Sequence, residues 1–149
     1  MLQRKQTVFL FLATIAFIVC LILPVGSFEP KGMSKMAMWY NLGINNGETI
    51  EWHIGLFALL AVDTILSFVT IFLYHQRKTQ IKLCVVSMLI VLAWYICYAI
   101  GAMNTFASLG AFHFQFGACL PLVALILLWL ARRGVKADEE LVRSMDRIR

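Results

Sequence analysis

An aspartate stands in the middle of a long apolar segment of this chain. The segment reads GLFALLAVDTILSFVTIFLY from Gly55 to Tyr74, and Asp63 is its one charged residue. A carboxyl group at that depth in a membrane can carry a proton or coordinate an ion along a transport pathway. It can also act as a neutral group that joins two helices by hydrogen bonds. The sequence alone leaves both interpretations of Asp63 open.

Other polar residues recur at helical spacing near this depth. Ser67 and Thr70 follow Asp63 by four and seven positions, so the three share one stripe of a helix. In the next apolar segment Ser87 and two tyrosines follow a similar spacing. We expect one of these tyrosines to be the hydroxyl partner of the aspartate. The predicted intramembrane polar site consists of Asp63, Ser67, Tyr95, Tyr98 and Gln115.

The charge of Asp63 does not prevent its segment from entering a membrane. A central aspartate costs about 2.5–3.5 kcal/mol on insertion, while each Leu, Ile, Phe or Val returns about 0.3–0.6 kcal/mol. The segment has twelve such apolar residues, which together return roughly 5 kcal/mol. The helix therefore inserts, but Asp63 must face the protein interior.

Motifs for enzyme chemistry are missing from the sequence. It has no paired carboxylates, no His/Cys metal spacing, no nucleophile elbow and no Gly-rich phosphate loop. The four cysteines (Cys20, Cys84, Cys97 and Cys119) all fall in apolar segments and form no CxxC pair. A thiol cluster of three of them is geometrically possible, although buried cysteines commonly serve as small apolar packing residues. We predict no enzyme activity, no metal and no cofactor.

The composition is that of a membrane protein. Hydrophobic residues make up 61% of the 149 residues and charged residues 14%, against about 45–50% and about 25% in soluble domains. Four apolar segments approach the roughly 20 residues that a membrane-spanning helix needs. They cover residues 7–25, 52–74, 83–103 and 112–130. The predicted fold is an all-α bundle of four antiparallel transmembrane helices, with Pro121 at the centre of the fourth.

The distribution of basic residues predicts the orientation of these helices. Eleven Lys and Arg residues flank the segments on one side and two on the other, which places both termini in the cytoplasm. The first segment also follows Arg4 and Lys5 and precedes a small-residue VGS sequence, as a signal peptide would. Its length favours a retained helix.

Two regions extend beyond the predicted helices. In the external loop, residues 26–51, apolar residues alternate from Met36 to Ile44 before the turn sequence Asn46-Gly47, which predicts a short β-hairpin. Two aromatic residues of this loop, Trp39 and Tyr40, and Trp52 just after it are expected to anchor at the membrane interface.

The cytoplasmic tail, residues 131–149, is predicted to form a separate helix after a stop at Gly134. Its apolar stripe can dock on a partner, lie along the inner leaflet or pack on the neighbouring loop. The basic residues expected to contact the inner leaflet are Arg132, Arg133 and Lys136.

Three stretches carry a family resemblance. MLQRKQTVFLFLA at the start, RKTQIKLC in the inner loop and DEELVRSMDRIR at the end resemble a family of small integral membrane proteins from Bacteroidetes, domain of unknown function 4293. The resemblance covers the full chain and implies a four-helix inner-membrane protein. It implies no activity and no functional residues.

The sequence favours a non-enzymatic accessory or structural protein of the bacterial inner membrane. Its partner would be the lipid bilayer together with another envelope protein or a second copy of the chain, with no nucleic acid. The alternative is a proton- or ion-coupled channel or carrier that uses Asp63.

Overall fold

Four helices form the body of the protein. A computed structural model describes residues 3–29, 36–45, 50–52, 54–73, 76–105 and 111–146. Within these residues the helices are α1 (Gln3–Ile22), α2 (Ile54–Phe72), α3 (Arg77–Ile100) and α4 (Leu120–Asp146). A π-helical turn, Gly101–Thr105, extends α3, and a 3₁₀ turn, Phe116–Cys119, precedes α4.

The helices pack in a ring in which each contacts two neighbours. α1 packs on α2 and α4, and α3 packs on the same two helices. Contacts between residues 63 and 87 and between residues 70 and 80 show that α2 and α3 run antiparallel. Contacts between residues 6 and 138 and between residues 20 and 117 show the same for α1 and the chain leading into α4.

The outward faces of the helices are apolar. Among the described residues, three helical stretches are long and apolar enough to cross a membrane: Ile54–Phe72, Arg77–Met103 and Phe116–Ser144. The first helix contributes a shorter apolar stretch, Gln6–Ile22. Large apolar side chains are exposed along all four helices. A surface of this kind is stable in hydrocarbon rather than in water.

A five-stranded antiparallel sheet covers one end of the bundle. Its strands within the described residues are β1 (Gly26–Glu29), β2 (Ala37–Tyr40), β3 (Gly43–Asn45), β4 (Ile50–Trp52) and β5 (Ala111–Phe114). The spatial order is β4-β3-β2-β1-β5, so the last strand pairs with the first. The sheet thus joins the segment before α2 to the segment before α4.

The predicted hairpin is confirmed in part: β3 and β4 pair antiparallel on either side of the predicted turn, with Asn45 opposite Ile50. Its first strand is shorter than predicted. The alternating residues do not form one strand, because the chain reverses at Asn41-Leu42 and pairs Tyr40 with Gly43. Gly43 lies so close to the backbone of Glu51 on β4 that a side chain at this position would collide with it. The predicted turn at Asn46-Gly47 lies outside the described residues.

The predicted boundaries of the fourth helix are also wrong. Residues 112–114 belong to β5, and the helix begins only at Leu120. Pro121 therefore lies in the first helical turn, where its missing N–H has no partner to lose, instead of at mid-helix.

At its other end α4 runs without interruption to Asp146. The tail is helical, as predicted, but it continues the fourth helix and Gly134 does not stop it. Gly134 instead allows a close approach between α4 and α1, because it has no side chain.

Candidate functional site

Asp63 is completely buried between α2 and α3. Its side chain is 0% exposed, and its Oδ1 accepts a hydrogen bond from the hydroxyl of Ser87 on α3. Its second oxygen, Oδ2, has no hydrogen-bond partner among the described residues. A buried oxygen of this kind carries an energetic cost that a proton, a water or a bound cation would reduce.

The aspartate begins a row of buried polar groups. Ser67 Oγ lies 3.4 Å from Ser87 Oγ, and Thr70 Oγ1 donates to the Leu66 carbonyl of its own helix at 2.7 Å. Gln80 on α3 donates to the Thr70 carbonyl at 3.4 Å. The predicted buried stripe of α2 is therefore confirmed, and a matching stripe on α3 faces it.

The other predicted members of the site lie elsewhere. Tyr95 donates to the Ala118 carbonyl at 2.8 Å, Tyr98 to the Val25 carbonyl at 2.6 Å, and Gln115 to Ser27 Oγ at 3.1 Å. The two tyrosine bonds attach α3 to the 3₁₀ turn before α4 and to the residue before β1. The Gln115 bond attaches the segment before that turn to β1. The predicted tyrosine partner of Asp63 is thus wrong, because both tyrosines lie further along α3 and bind main-chain carbonyls there.

Asn41 forms a second polar centre, which the sequence analysis did not single out. This fully buried residue donates from Nδ2 to the Cys20 carbonyl at 2.7 Å and accepts at Oδ1 from Trp94 Nε1 at 3.0 Å. It therefore joins the β2–β3 turn to α1 and α3 at once. The turn tendency of Asn, with Gly43 two residues later, was the only local signal for its special position.

A stack of aromatic rings lies beside the hydrogen bonds of Asn41. The ring of Tyr98 lies between those of Trp39 and Trp94, with centroids 4.9 Å and 5.2 Å away and nearly parallel planes. Trp39 is buried, so its predicted role as an interfacial anchor is wrong, whereas Trp52 is exposed. Stacked aromatic rings bury large apolar areas, and here they fix β2 onto α3.

A third polar contact joins α1 to the extension of α4. Gln6 Nε2 donates to Asp138 Oδ2 at 2.6 Å, and both side chains are buried. Gly134 lies one turn before Asp138, and a Cβ there would come within 2.9 Å of Gln6 Cγ. The extension is therefore packed on α1, while Leu141 is exposed beyond it.

The predicted inner-leaflet residues lie together on α4. Arg132, Arg133 and Lys136 line a cavity of about 190 Å³ with Trp129. The Arg133 guanidinium lies 5.6 Å from the centre of the Trp129 ring, a distance typical of a cation–π contact.

The described residues contain no group of three His, Cys, Asp or Glu side chains that could hold a metal ion. Cys20 and Cys84 are buried and Cys97 is exposed. Cys20 Sγ lies 3.2 Å from the Gly117 carbonyl, to which it donates. Cys20 Sγ also accepts a long bond from Asn41 Nδ2 at 3.7 Å, so Cys20 acts as a packing residue with two weak hydrogen bonds.

The chain matches a protein family over nearly its whole length. A family described as Domain of unknown function (DUF4293) matches residues 2–148. The chain belongs to this family. The match confirms the family resemblance of the terminal and inner-loop sequences, and no curated protein matches the chain. Because DUF4293 carries no described activity, function must be argued from the geometry.

Proposed function

We propose that this DUF4293 protein is a non-enzymatic accessory subunit of the bacterial inner membrane that acts through protein contacts at its external sheet. The observation behind the proposal is the attachment of that sheet. Asn41, in the β2–β3 turn, forms hydrogen bonds with both α1 and α3. Tyr98 of α3 stacks between Trp39 of β2 and Trp94 of α3. A surface held this firmly is preorganised, which lowers the entropic cost of binding a partner.

The first helix completes a four-span topology in this proposal. The apolar stretch Gln6–Ile22 is about 25 Å long at the helical rise per residue, close to the hydrocarbon thickness of a bilayer. Apart from Thr7, its exposed residues are all large and apolar; they are Val8, Phe11, Leu12, Ile15, Ile18, Val19 and Ile22. With the basic flanks in the cytoplasm, both termini lie inside and the sheet outside.

The end strands of the sheet are the proposed contact surface. β4 and β5 stand at the two ends of the strand order, and end strands offer backbone groups to an added strand. Both end strands expose an aromatic side chain, since Trp52 on β4 is 61% exposed and Phe114 on β5 is 57% exposed. An exposed aromatic residue on an end strand can anchor a partner protein.

Site-specific photo-crosslinking in growing cells tests this surface. Phe114 and, as a matched control, Phe68 on the outward face of α2 are each replaced by p-benzoylphenylalanine; their exposures are 57% and 52%. We expect a discrete protein adduct from position 114 and none from position 68, which faces lipid. A chain that gives no adduct at 114 and isolates alone as a monomer in mild detergent contradicts the proposal.

A second candidate function rests on one further observation, the unpartnered Oδ2 of Asp63. In this alternative the carboxyl group exchanges a proton or a cation between the two sides of the membrane. The row of Ser67, Thr70 and Gln80 leads from Asp63 toward the cytoplasmic end of α2. It offers hydroxyl and carbonyl oxygens along that route.

Proteoliposomes with an entrapped pH-sensitive dye separate the two functions. A proton-coupled carrier dissipates an imposed pH gradient faster than empty vesicles do, and Asp63→Asn returns the rate to that of empty vesicles while the protein stays folded. Equal rates for the native chain, for Asp63→Asn and for empty vesicles contradict the alternative and leave Asp63 as a structural residue.

A further inference from the structure

We propose that a basic cleft on α4, formed by Trp129, Arg132, Arg133 and Lys136, binds the phosphate headgroup of an anionic phospholipid from the cytoplasmic leaflet. The inference rests on the proposed topology, in which α4 crosses the membrane and ends in the cytoplasm, but it is independent of partner binding at the external sheet and of Asp63. A lipid bound here would fix the depth and tilt of α4.

The geometry of the cleft follows from residue spacing. Its members stand at positions i, i+3, i+4 and i+7, so their side chains share one face of the helix. They line an open cleft of about 190 Å³. At roughly 30 Å³ per water molecule this volume holds about six waters, which is enough for a phosphate group and part of its glycerol.

The charges in the cleft suit a phosphodiester. Two guanidinium groups and one ammonium group converge without an acid among the four lining residues. Lys136 forms an i,i+4 salt bridge with Glu140, whose Oε1 lies 3.9 Å from Lys136 Nζ. Both side chains are exposed, and an exposed ion pair of this kind is weak, so it leaves Lys136 able to bind phosphate. Arginine binds phosphate oxygens through two parallel N–H groups, and the contact with the Trp129 ring holds Arg133 in position.

The surroundings favour a lipid over a soluble phosphate. An exposed stripe on α4 runs from apolar to basic at alternating spacings of four and three residues: Leu122, Ile126, Trp129, Arg133 and Lys136. An acyl chain can lie along its apolar part while the headgroup meets its basic part. Tryptophan at the transition is typical of the depth where hydrocarbon gives way to headgroups, and basic residues just beyond a span attract anionic lipids.

Native mass spectrometry of the detergent-purified full chain tests the site. Phosphatidylglycerol and phosphatidylcholine are titrated onto the native chain and onto two triple variants. The site variant is Arg132→Gln/Arg133→Gln/Lys136→Gln, and the control variant, with the same loss of charge, is Arg77→Gln/Lys78→Gln/Lys82→Gln. Because each basic residue near an anionic headgroup contributes about fivefold in affinity, we expect the site variant to bind phosphatidylglycerol on the order of a hundredfold more weakly. The control variant should bind it nearly as the native chain does.

Each other outcome overturns the proposal. Equal losses in both triple variants would mean non-specific attraction, and unchanged binding in the site variant would place the lipid elsewhere. Displacement of phosphatidylglycerol by millimolar inorganic phosphate would assign the cleft to a soluble anion. If the site variant fails to fold, Arg133→Lys replaces it, since this change keeps the charge and removes the planar fork; native-like lipid affinity in that variant counts against the site.

Discussion

The hydroxyl that meets Asp63 belongs to Ser87 rather than to a tyrosine. The bond lies between the middle of α2 and the N-terminal half of α3, where the antiparallel packing brings positions 63 and 87 together. Tyr95 and Tyr98 lie two and three turns further toward the C-terminal end of α3 and bind carbonyls there. A buried acid in this position is compatible with a structural hydrogen bond and with a titrating group.

Two serine substitutions separate the role of this bond from that of its neighbour. Ser87→Ala leaves both carboxyl oxygens of Asp63 without a partner among the described residues and should lower the free energy of unfolding by about 1–3 kcal/mol. Ser67→Ala makes the same chemical change but removes only a 3.4 Å contact, and should cost less than about 1 kcal/mol. Thermal and SDS-induced unfolding of the purified chain in detergent measures both.

Substitutions of Asp63 itself complete this comparison. Asp63→Asn keeps an acceptor for Ser87 and should stay close to native stability, whereas Asp63→Leu leaves the buried hydroxyl of Ser87 with only the long contact to Ser67 and should be clearly less stable. Equal stability of the two variants would show that the bond between residues 63 and 87 contributes little.

At the scale of elements, the external segment and the tail differ most from the sequence-based expectation. Alternation of apolar residues correctly indicated β-structure after Met36, but period two alone does not say where a strand ends. The reversal at Asn41 depends on the buried partners that this side chain finds on α1 and α3. The fifth strand was missed because its pairing with β1 joins residues more than eighty positions apart.

The close contact between α1 and α4 gives a test of why Gly134 lies inside a helix. Alanine is favoured over glycine in a helix by about 1 kcal/mol, but a Cβ at this position would lie 2.9 Å from Gln6 Cγ, and Gln6 is held by Asp138. We expect Gly134→Ala to destabilise the native chain by about 1 kcal/mol. In a Gln6→Ala background the same change should stabilise by up to about 1 kcal/mol. Unfolding measurements on the four chains of this cycle give the sign in each background.

The test depends on whether the effect of Gly134→Ala on stability changes sign between the native and the Gln6→Ala backgrounds. If Gly134→Ala stabilises both backgrounds equally, the helices approach less closely than the distance indicates. If it destabilises both equally, the side chain of Gln6 is not the obstacle. Either result would contradict close packing on Gln6 as the reason that a glycine lies at position 134 inside this helix.

At the scale of the whole molecule, the proposed topology is tested by reporter fusions. Green fluorescent protein fused after Arg149 should fluoresce, and alkaline phosphatase at the same point should be inactive, because both termini are proposed to lie in the cytoplasm. Alkaline phosphatase inserted between residues 105 and 111 should be active. An active phosphatase at the C-terminus would reverse the orientation and would also move the basic cleft of α4 to the outer leaflet.

The sequence by itself determined the helical, apolar character of the chain and its family, because length and apolar content are local properties of a segment. It also placed Asp63 on the buried stripe of α2, since helical period relates residues a few positions apart. Only the tertiary structure decided that Ser87 meets Asp63, that Asn41 joins the sheet to two helices, and that α4 continues past Gly134. Each of these depends on which distant residues come into contact, and that choice is made by packing between elements and not by the pattern within one of them.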